Sequence, residues 1–234
     1  MADPSPSERR GIIRDGLGVG LATGLYGTSF GAVSVAAGLS VLQTSALSLV
    51  MFTGASQFAF IGVAAVGGAP LSGALTALML GTRNTLYGLK LAPLLDFRGW
   101  RRAAAAQLVI DESTAMSVTR DTQATARLGF LSTGIAVFVL WNLFTFLGAV
   151  AGNLIGDPRD YGLDAAVGAA FLALLWPRLA EPRNRVIAVC AAAVALVAVP
   201  VTAAGVPVLV AGGVALLAGL LTRTASDSTE IPGR

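Results

Sequence analysis

Charged residues divide the chain into long apolar runs. No Asp, Glu, Lys or Arg occurs from Gly16 to Thr82, from Leu128 to Gly156, or from Val186 to Thr222. Crossing the hydrocarbon layer takes about 20 apolar residues. The first run therefore has room for two spans or three tight ones, the second for one, and the third for a short hairpin of two. Turn signals such as "GGAP" at Gly67 to Pro70 cut the chain further. The segments read as 15–37, 41–66, 71–94, 103–119, 128–152, 163–177, 186–202 and 206–222. Backbone groups in lipid must be satisfied within each segment. The pattern thus predicts an all-α polytopic integral membrane protein with seven or eight hydrophobic helical segments. The alternating strands of a β-barrel are not seen. Residues 1–14 read as a polar cytoplasmic tail, 15–222 as a single transmembrane helical domain, and 223–234 as a second polar tail. The polar start precedes a run far longer than a signal-peptide core, so no cleavage is expected.

Loop charges test the span count. Eight spans with both ends inside put Arg120, Arg127, Arg178, Arg183, Arg185 and Arg223 in the cytoplasm, together with Arg9, Arg10 and Arg14. That obeys the positive-inside rule. The same count puts Arg98, Arg101 and Arg102 outside, which breaks it. If one segment within 41–119 fails to cross, that loop moves inside. "FTGASQF", Phe52 to Phe58, is the place where a broken or re-entrant segment is expected, because Gly and hydroxyls re-satisfy an interrupted helix. The segment 103–119 is open between a buried span, a re-entrant piece and an interfacial helix, since Asp111 and Glu112 sit at its centre.

Composition supports the membrane reading. Hydrophobic residues make up 55%, charged residues 12%, and mean hydropathy is +0.74. Soluble domains carry about a quarter charged residues. The net charge of +3 reads as loop bias, since no basic run is long enough for a nucleic-acid patch. The chain has no histidine and a single cysteine, Cys190, in an apolar run. Metal and cofactor sites are not expected, and hydrolytic catalysis lacks its usual parts, so an enzyme is disfavoured.

Four constellations carry candidate chemistry. In "FTGASQF", Gly54, Ala55 and Ser56 suit close helix packing, and Gln57 suits a cross-helix hydrogen bond. Alternatively an unwound turn there offers backbone N–H and C=O groups to a substrate. In "GTRNTLYG", Arg83 lies deep in an apolar segment, where a charge costs roughly 2.5–3.5 kcal/mol and needs a partner. Arg83 is either one half of a structural ion pair or a ligand-facing cation. Asn84 and Tyr87 share its helix, three residues apart and on one face. Asp111 and Glu112 in "VIDESTAMS" are the natural partners: one to neutralise Arg83, the other to carry a proton. Both are otherwise wet, if 103–119 lies at the surface. In "WNLFTFLGAVAG", Asn142, Thr145, Gly148 and Gly152 form a helix-packing face.

These pieces, in this order, resemble the AzlC family of branched-chain amino acid exporters. The counterparts are "GLSVLQTSALSLVMFTGASQFAF", "GTRNTLYGLKLAPLL" and "VIDESTAM", with "WNLFTFLGAVAG" and "YGLDAAVGAAFLALLWPRL" similar to the family's second half, so the resemblance spans about 15–222. Gly81 stands where the family usually has Asn, and Asn84 where it usually has His. Any proton role of that His then falls to Asp111 or Glu112. The resemblance implies a cytoplasmic-membrane exporter of valine, leucine and isoleucine. Coupling to the proton gradient is the expectation set by the acid pair, and a multi-pass topology with a cytoplasmic N-terminus the one set by the apolar runs and Arg9, Arg10 and Arg14. It also implies a small AzlD-like membrane subunit as partner. On this reading Gly54, Ala55, Ser56, Gln57, Arg83, Asn84 and Tyr87 bind substrate. The carboxylate would face Arg83 or the N–H groups near Gly54, and the ammonium Gln57, backbone carbonyls or an acid. The alternative is a scaffold subunit whose polar residues only stitch helices together. Whether Gln57, Arg83, Asp111 and Glu112 gather around one cavity discriminates the two.

Overall fold

The computed structural model describes residues 4–154, 172, 175–203 and 205–227, and the described elements are helical. In order they are α1 (Pro6–Ala36), α2 (Val41–Val50), α3 (Gly54–Ala65), α4 (Pro70–Leu95), α5 (Trp100–Gln107), α6 (Asp111–Val118), α7 (Gln123–Leu154), a 3₁₀ turn (Trp176–Ala180), α8 (Pro182–Ala198), a second 3₁₀ turn (Val199–Val201) and α9 (Val206–Asp227). Most of segment 163–177, the loop before it and residues 228–234 lie outside the described residues. Among the described residues three helical stretches are long and apolar enough to cross a membrane by length and composition: Pro6–Ala36, Gln123–Leu154 and Pro182–Val201. Large apolar side chains point outward from them, as Leu17, Leu21 and Leu25 do from α1. Lipid is the environment that suits such a surface.

The helix α1 starts at Pro6, inside the stretch expected to be a tail. Ser5 caps it by accepting from the Glu8 N–H at 3.2 Å, and Pro6 occupies the first turn, where its missing N–H costs nothing. Likewise α9 continues past the predicted boundary to Asp227.

α1 and α7 lie parallel and pack along most of their length. Gly16 faces Ser132 and Thr133, Gly20 faces Ala136, Gly24 faces Leu140, and Gly31 faces Gly148 and Ala149. The glycines remove side chains from the seam, so two backbones approach closely enough for dispersion contacts. Thr145, Gly148 and Gly152 are the α7 side of this seam, with Gly152 against Ala32. Asn142 instead turns its amide back to the Phe138 carbonyl at 2.8 Å.

The segments 41–66 and 103–119 do not cross. α2 has 10 residues and α3 has 12, which at 1.5 Å per residue reach about 15 and 18 Å, half the hydrocarbon thickness. They fold back on each other: Gly38 and Leu39, before α2, share a cleft with Val63 and Ala64, at the end of α3. α5 and α6 have 8 residues each and fold back from the opposite end. The Ser117 hydroxyl at the close of α6 bonds the Ala126 carbonyl near the start of α7, while Leu108 at the tip packs on Gly134, two turns deeper. The one expected break is therefore two re-entrant hairpins, entering from opposite faces. Each follows a long helix, α1 or α4, and the two helix-plus-hairpin units run in opposite directions.

This arrangement removes the charge conflict. Arg127, near the start of α7, caps the C-terminus of α4 by donating to Leu95 O at 2.6 Å and Asp96 O at 3.2 Å. The Arg98–Arg102 loop thus sits at the end where α7 begins and, because α1 is parallel to α7, where Arg9, Arg10 and Arg14 lie. One end of the bundle is basic.

Candidate functional site

The hairpin tips meet in the middle of the bundle, and each break has a local cause. The last four carbonyls of a helix lack intrahelical partners. At α2 two glutamine amides supply them. Gln57 Nε2 donates to Met51 O at 2.7 Å and to Ser48 O at 3.3 Å; Gln107 Nε2, from the other hairpin, donates to Leu49 O at 2.9 Å. Thr53 is then extended (φ −156°, ψ 107°) and α3 starts at Gly54. At the other tip the Ser113 hydroxyl donates to Leu108 O at 2.6 Å and accepts from the Ile110 N–H at 3.1 Å.

Both half-helices α3 and α6 begin without a side-chain cap. Their free N–H groups and positive dipole ends face one cavity of about 290 Å³. Gly54, Ala55, Arg83, Asn84, Asp111 and Glu112 line it. Arg83, at the middle of α4, makes an ion pair with Asp111: Nη1 to Oδ2 is 2.9 Å. The pair is incomplete. Arg83 Nε, Asp111 Oδ1 and Asn84 Oδ1 are buried and have no hydrogen-bond partner among the described residues. Buried polar atoms are rarely left so; Arg83 Nε calls for an acceptor, and Asp111 Oδ1 and Asn84 Oδ1 call for donors. Glu112 lies at the α1 side, beside Thr23.

Three of the predicted substrate contacts, Ser56, Gln57 and Tyr87, do not line the cavity. Gln57 is fully buried behind the cavity, and its Oε1 accepts from Trp141 Nε1 at 3.0 Å, so its amide is spent on structure. The Ser56 hydroxyl donates to Ala77 O at 2.8 Å and pins α3 to α4. Tyr87 lies beside Asp111, one turn along α4 from Arg83.

Sequence reasoning placed the apolar part of a substrate among Phe and Leu, but missed Tyr26 and Trp141 in that wall and a second cation. Thr23, Tyr26, Phe52, Phe58 and Trp141 line the cavity, and Arg178 reaches it from the Trp176–Ala180 turn. Tyr26 and Phe58 pack at 5.4 Å, Tyr26 and Trp141 at 6.2 Å. Tyr26 in a charge-free run carried a weak signal; Arg178 carried none, because it read as loop bias. The cavity can thus hold a small molecule with one apolar part, one anionic group and one cationic group. Among the described residues no cluster of His, Cys, Asp and Glu suits a metal ion.

Residues 18–155, from α1 to α7, match the family described as AzlC protein. An uncharacterized membrane protein of Archaeoglobus fulgidus is 31% identical over 170 residues, covering 72% of this chain and 74% of that protein. An uncharacterized membrane protein of Helicobacter pylori is 22% identical over 179 residues, covering 74% and 77%. No solved structure matches at a significant level. The family match stops before α8, short of the 15–222 expected from the resemblance.

Proposed function

The chain belongs to the AzlC family, and on that premise we propose that it exports valine, leucine and isoleucine across the cytoplasmic membrane by proton-coupled secondary transport. The observation that carries this reading is the half-satisfied Arg83–Asp111 pair at the meeting of two uncapped half-helices. Half-helix ends at mid-bundle are a recurring way to hold the charged groups of a substrate. The amino acid's carboxylate takes the N–H groups of Gly54 and Ala55 and the free edge of Arg83. Its ammonium takes Asp111 Oδ1 and Asn84 Oδ1. Its branched side chain lies against Phe52, Phe58 and Trp141. Glu112, which has no ion pair among the described residues, carries the coupling proton. The two oppositely directed helix-plus-hairpin units supply the inverted repeat on which alternating access is built.

The basic end is cytoplasmic in this reading, following the positive-inside rule. That puts the N-terminus and the Arg98–Arg102 loop on the cytoplasmic side. A small AzlD-like membrane subunit completes the transporter. Other buried polar atoms also lack a partner, such as Thr133 Oγ1 and Thr145 Oγ1 in the α1–α7 seam, so what favours a ligand site over a scaffold is that Arg83 Nε, Asp111 Oδ1 and Asn84 Oδ1 belong to residues lining one cavity.

The test is efflux of labelled valine from proteoliposomes holding the purified chain, with and without the small subunit. Efflux that survives unchanged in a folded Arg83→Ala variant would sink the site assignment.

A further inference from the structure

A second and larger cavity, about 740 Å³, runs from the α2 tip at Met51 to the basic end, where Asp96, Arg98 and Arg102 form its rim. Its inner surface is apolar, with Leu91, Phe97 and Phe130. It is not the central cavity, yet the two share three lining residues: Phe52, Thr53 and Asn84. A side chain that lines two cavities is the wall between them. The Phe52 ring is buried and held edge-on against Phe138 at 5.0 Å, in the non-helical link between α2 and α3. Asn84 presents an unpartnered Oδ1 in the same wall. At the rim Arg98 is held by Asp96 at 3.2 Å, while Arg102 has no ion pair among the described residues.

We infer that this second cavity is a loading chamber, a separate binding site for an amino acid with an apolar side chain, and that Phe52 is the partition between it and the central site. The inference rests on the export reading and deepens it. The chemistry matches the ligand at both ends: an apolar side chain against Leu91, Phe97 and Phe130, and a carboxylate at Arg102. The backbone on either side of Phe52 is pinned, with Met51 O accepting from Gln57 Nε2 and from the Thr53 N–H, so it is a rotation of the Phe52 side chain that opens one cavity to the other. In the proposed orientation the chamber faces the side from which an exporter collects its substrate.

Cysteine accessibility tests this, because the chain has one native cysteine, Cys190, which lies away from both cavities. In a Cys190→Ser background, Ala106→Cys reports on the chamber and Ala55→Cys on the central cavity. Vesicles of known orientation are treated with a membrane-impermeant thiosulfonate. The expected result is rapid modification of Ala106→Cys from the basic face alone, slowed several-fold by saturating valine. Ala55→Cys reacts slowly from that face and speeds up several-fold when Phe52→Ala is added. Ala106→Cys that reacts only with a lipid-soluble maleimide means a lipid-filled groove and overturns the inference. So does an Ala55→Cys rate indifferent to Phe52→Ala, or modification that valine does not slow in vesicles that do export valine. Wild-type efflux is measured in the same preparation. Its absence overturns the substrate reading, and the accessibility arms then decide the chamber and partition by themselves.

Discussion

Arg83 Nη1 and Asp111 Oδ2 meet at 2.9 Å, joining the middle of the long helix α4 to the first residue of the half-helix α6. The contact ties one helix-plus-hairpin unit to the tip that closes it. It also fixes the depth at which α6 begins, because an acid at a helix N-terminus is held both by the dipole and by the guanidinium.

Removing either partner leaves the other charge alone in the membrane. Arg83→Ala and Asp111→Asn should each destabilise the protein, and the double variant should lose less than the sum of the two single losses. The side chains are 28% and 40% exposed, so water screens part of the attraction. A double-mutant cycle on thermal unfolding in detergent should return a coupling of about 1 kcal/mol, within the range for contacting residues. Strict additivity would show that the pair contributes nothing.

Gln57 holds the α2 tip. Gln57→Leu removes donors to Met51 O and Ser48 O and the acceptor for Trp141 Nε1. Met51 O keeps the Thr53 N–H, so Gln57→Leu strands Ser48 O and Trp141 Nε1, at about 2 kcal/mol or more, whereas Trp141→Phe strands one acceptor, Gln57 Oε1, at about 1 kcal/mol. Unfolding midpoints should therefore fall in the order wild type, Trp141→Phe, Gln57→Leu. The reverse order would place Gln57 in the cavity as a ligand, not behind it as a strut.

The outline of this site was legible because charge in lipid is expensive. Arg83, Asp111 and Glu112 had to find one another, and Gly54 to Gln57 marked one break. The second break was half legible: Asp111 and Glu112 left 103–119 open to a re-entrant reading, but "QLVIDE" contains no Gly or Pro to mark the turn, which forms because Ser113, the next residue, takes the tip's backbone groups. The inward turn of Gln57 was also hidden, since its partners are carbonyls of its own hairpin. The α1 seam is written in Gly16, Gly20 and Gly24 at i, i+4 spacing, the counterpart of the small-residue face on α7.

That seam gives a sharp contrast among glycines. A Cβ on Gly31 would run into the Thr145 carbonyl, and one on Gly148 into the Thr28 carbonyl. Backbone cannot swing aside as a side chain does, so Gly31→Ala and Gly148→Ala should cost about 1–3 kcal/mol each. Gly18, on the same helix as Gly31, has nothing within 4 Å of a built Cβ. Gly18→Ala should be neutral or gain up to about 1 kcal/mol from helix entropy. Thermal stability of the three variants in one detergent checks the contrast.

Glu112 and Asp111 should part company in transport assays. Asp111 is committed to Arg83, so Asp111→Asn should stop both net efflux and valine exchange. Glu112→Gln keeps the shape of the cavity and removes a proton site. It should retain valine exchange between the two sides yet lose concentrative transport driven by an imposed pH gradient. Gradient-driven transport that persists in Glu112→Gln would move the coupling proton to another group.

The two-hairpin topology makes the last prediction, and it is one that eight straight spans cannot share. If 41–66 and 103–119 both crossed, as the eight-span count requires, Ser7 and Arg101 would lie on opposite faces. With both segments re-entrant, α1 and α4 are the spans that separate these residues, so Ser7 and Arg101 lie on the same face. The Arg127 bonds to Leu95 and Asp96 fix this end locally, and the parallel packing of α1 on α7 carries it to the N-terminus. Single cysteines at Ser7 and Arg101, in a Cys190→Ser background, should therefore be modified from the same side of sealed vesicles. A cysteine at Gly68, in the turn after α3, should be modified from the opposite side. Labelling of Ser7→Cys and Arg101→Cys from opposite sides would mean that at least one hairpin crosses, and the central cavity would lose one of its two half-helix ends.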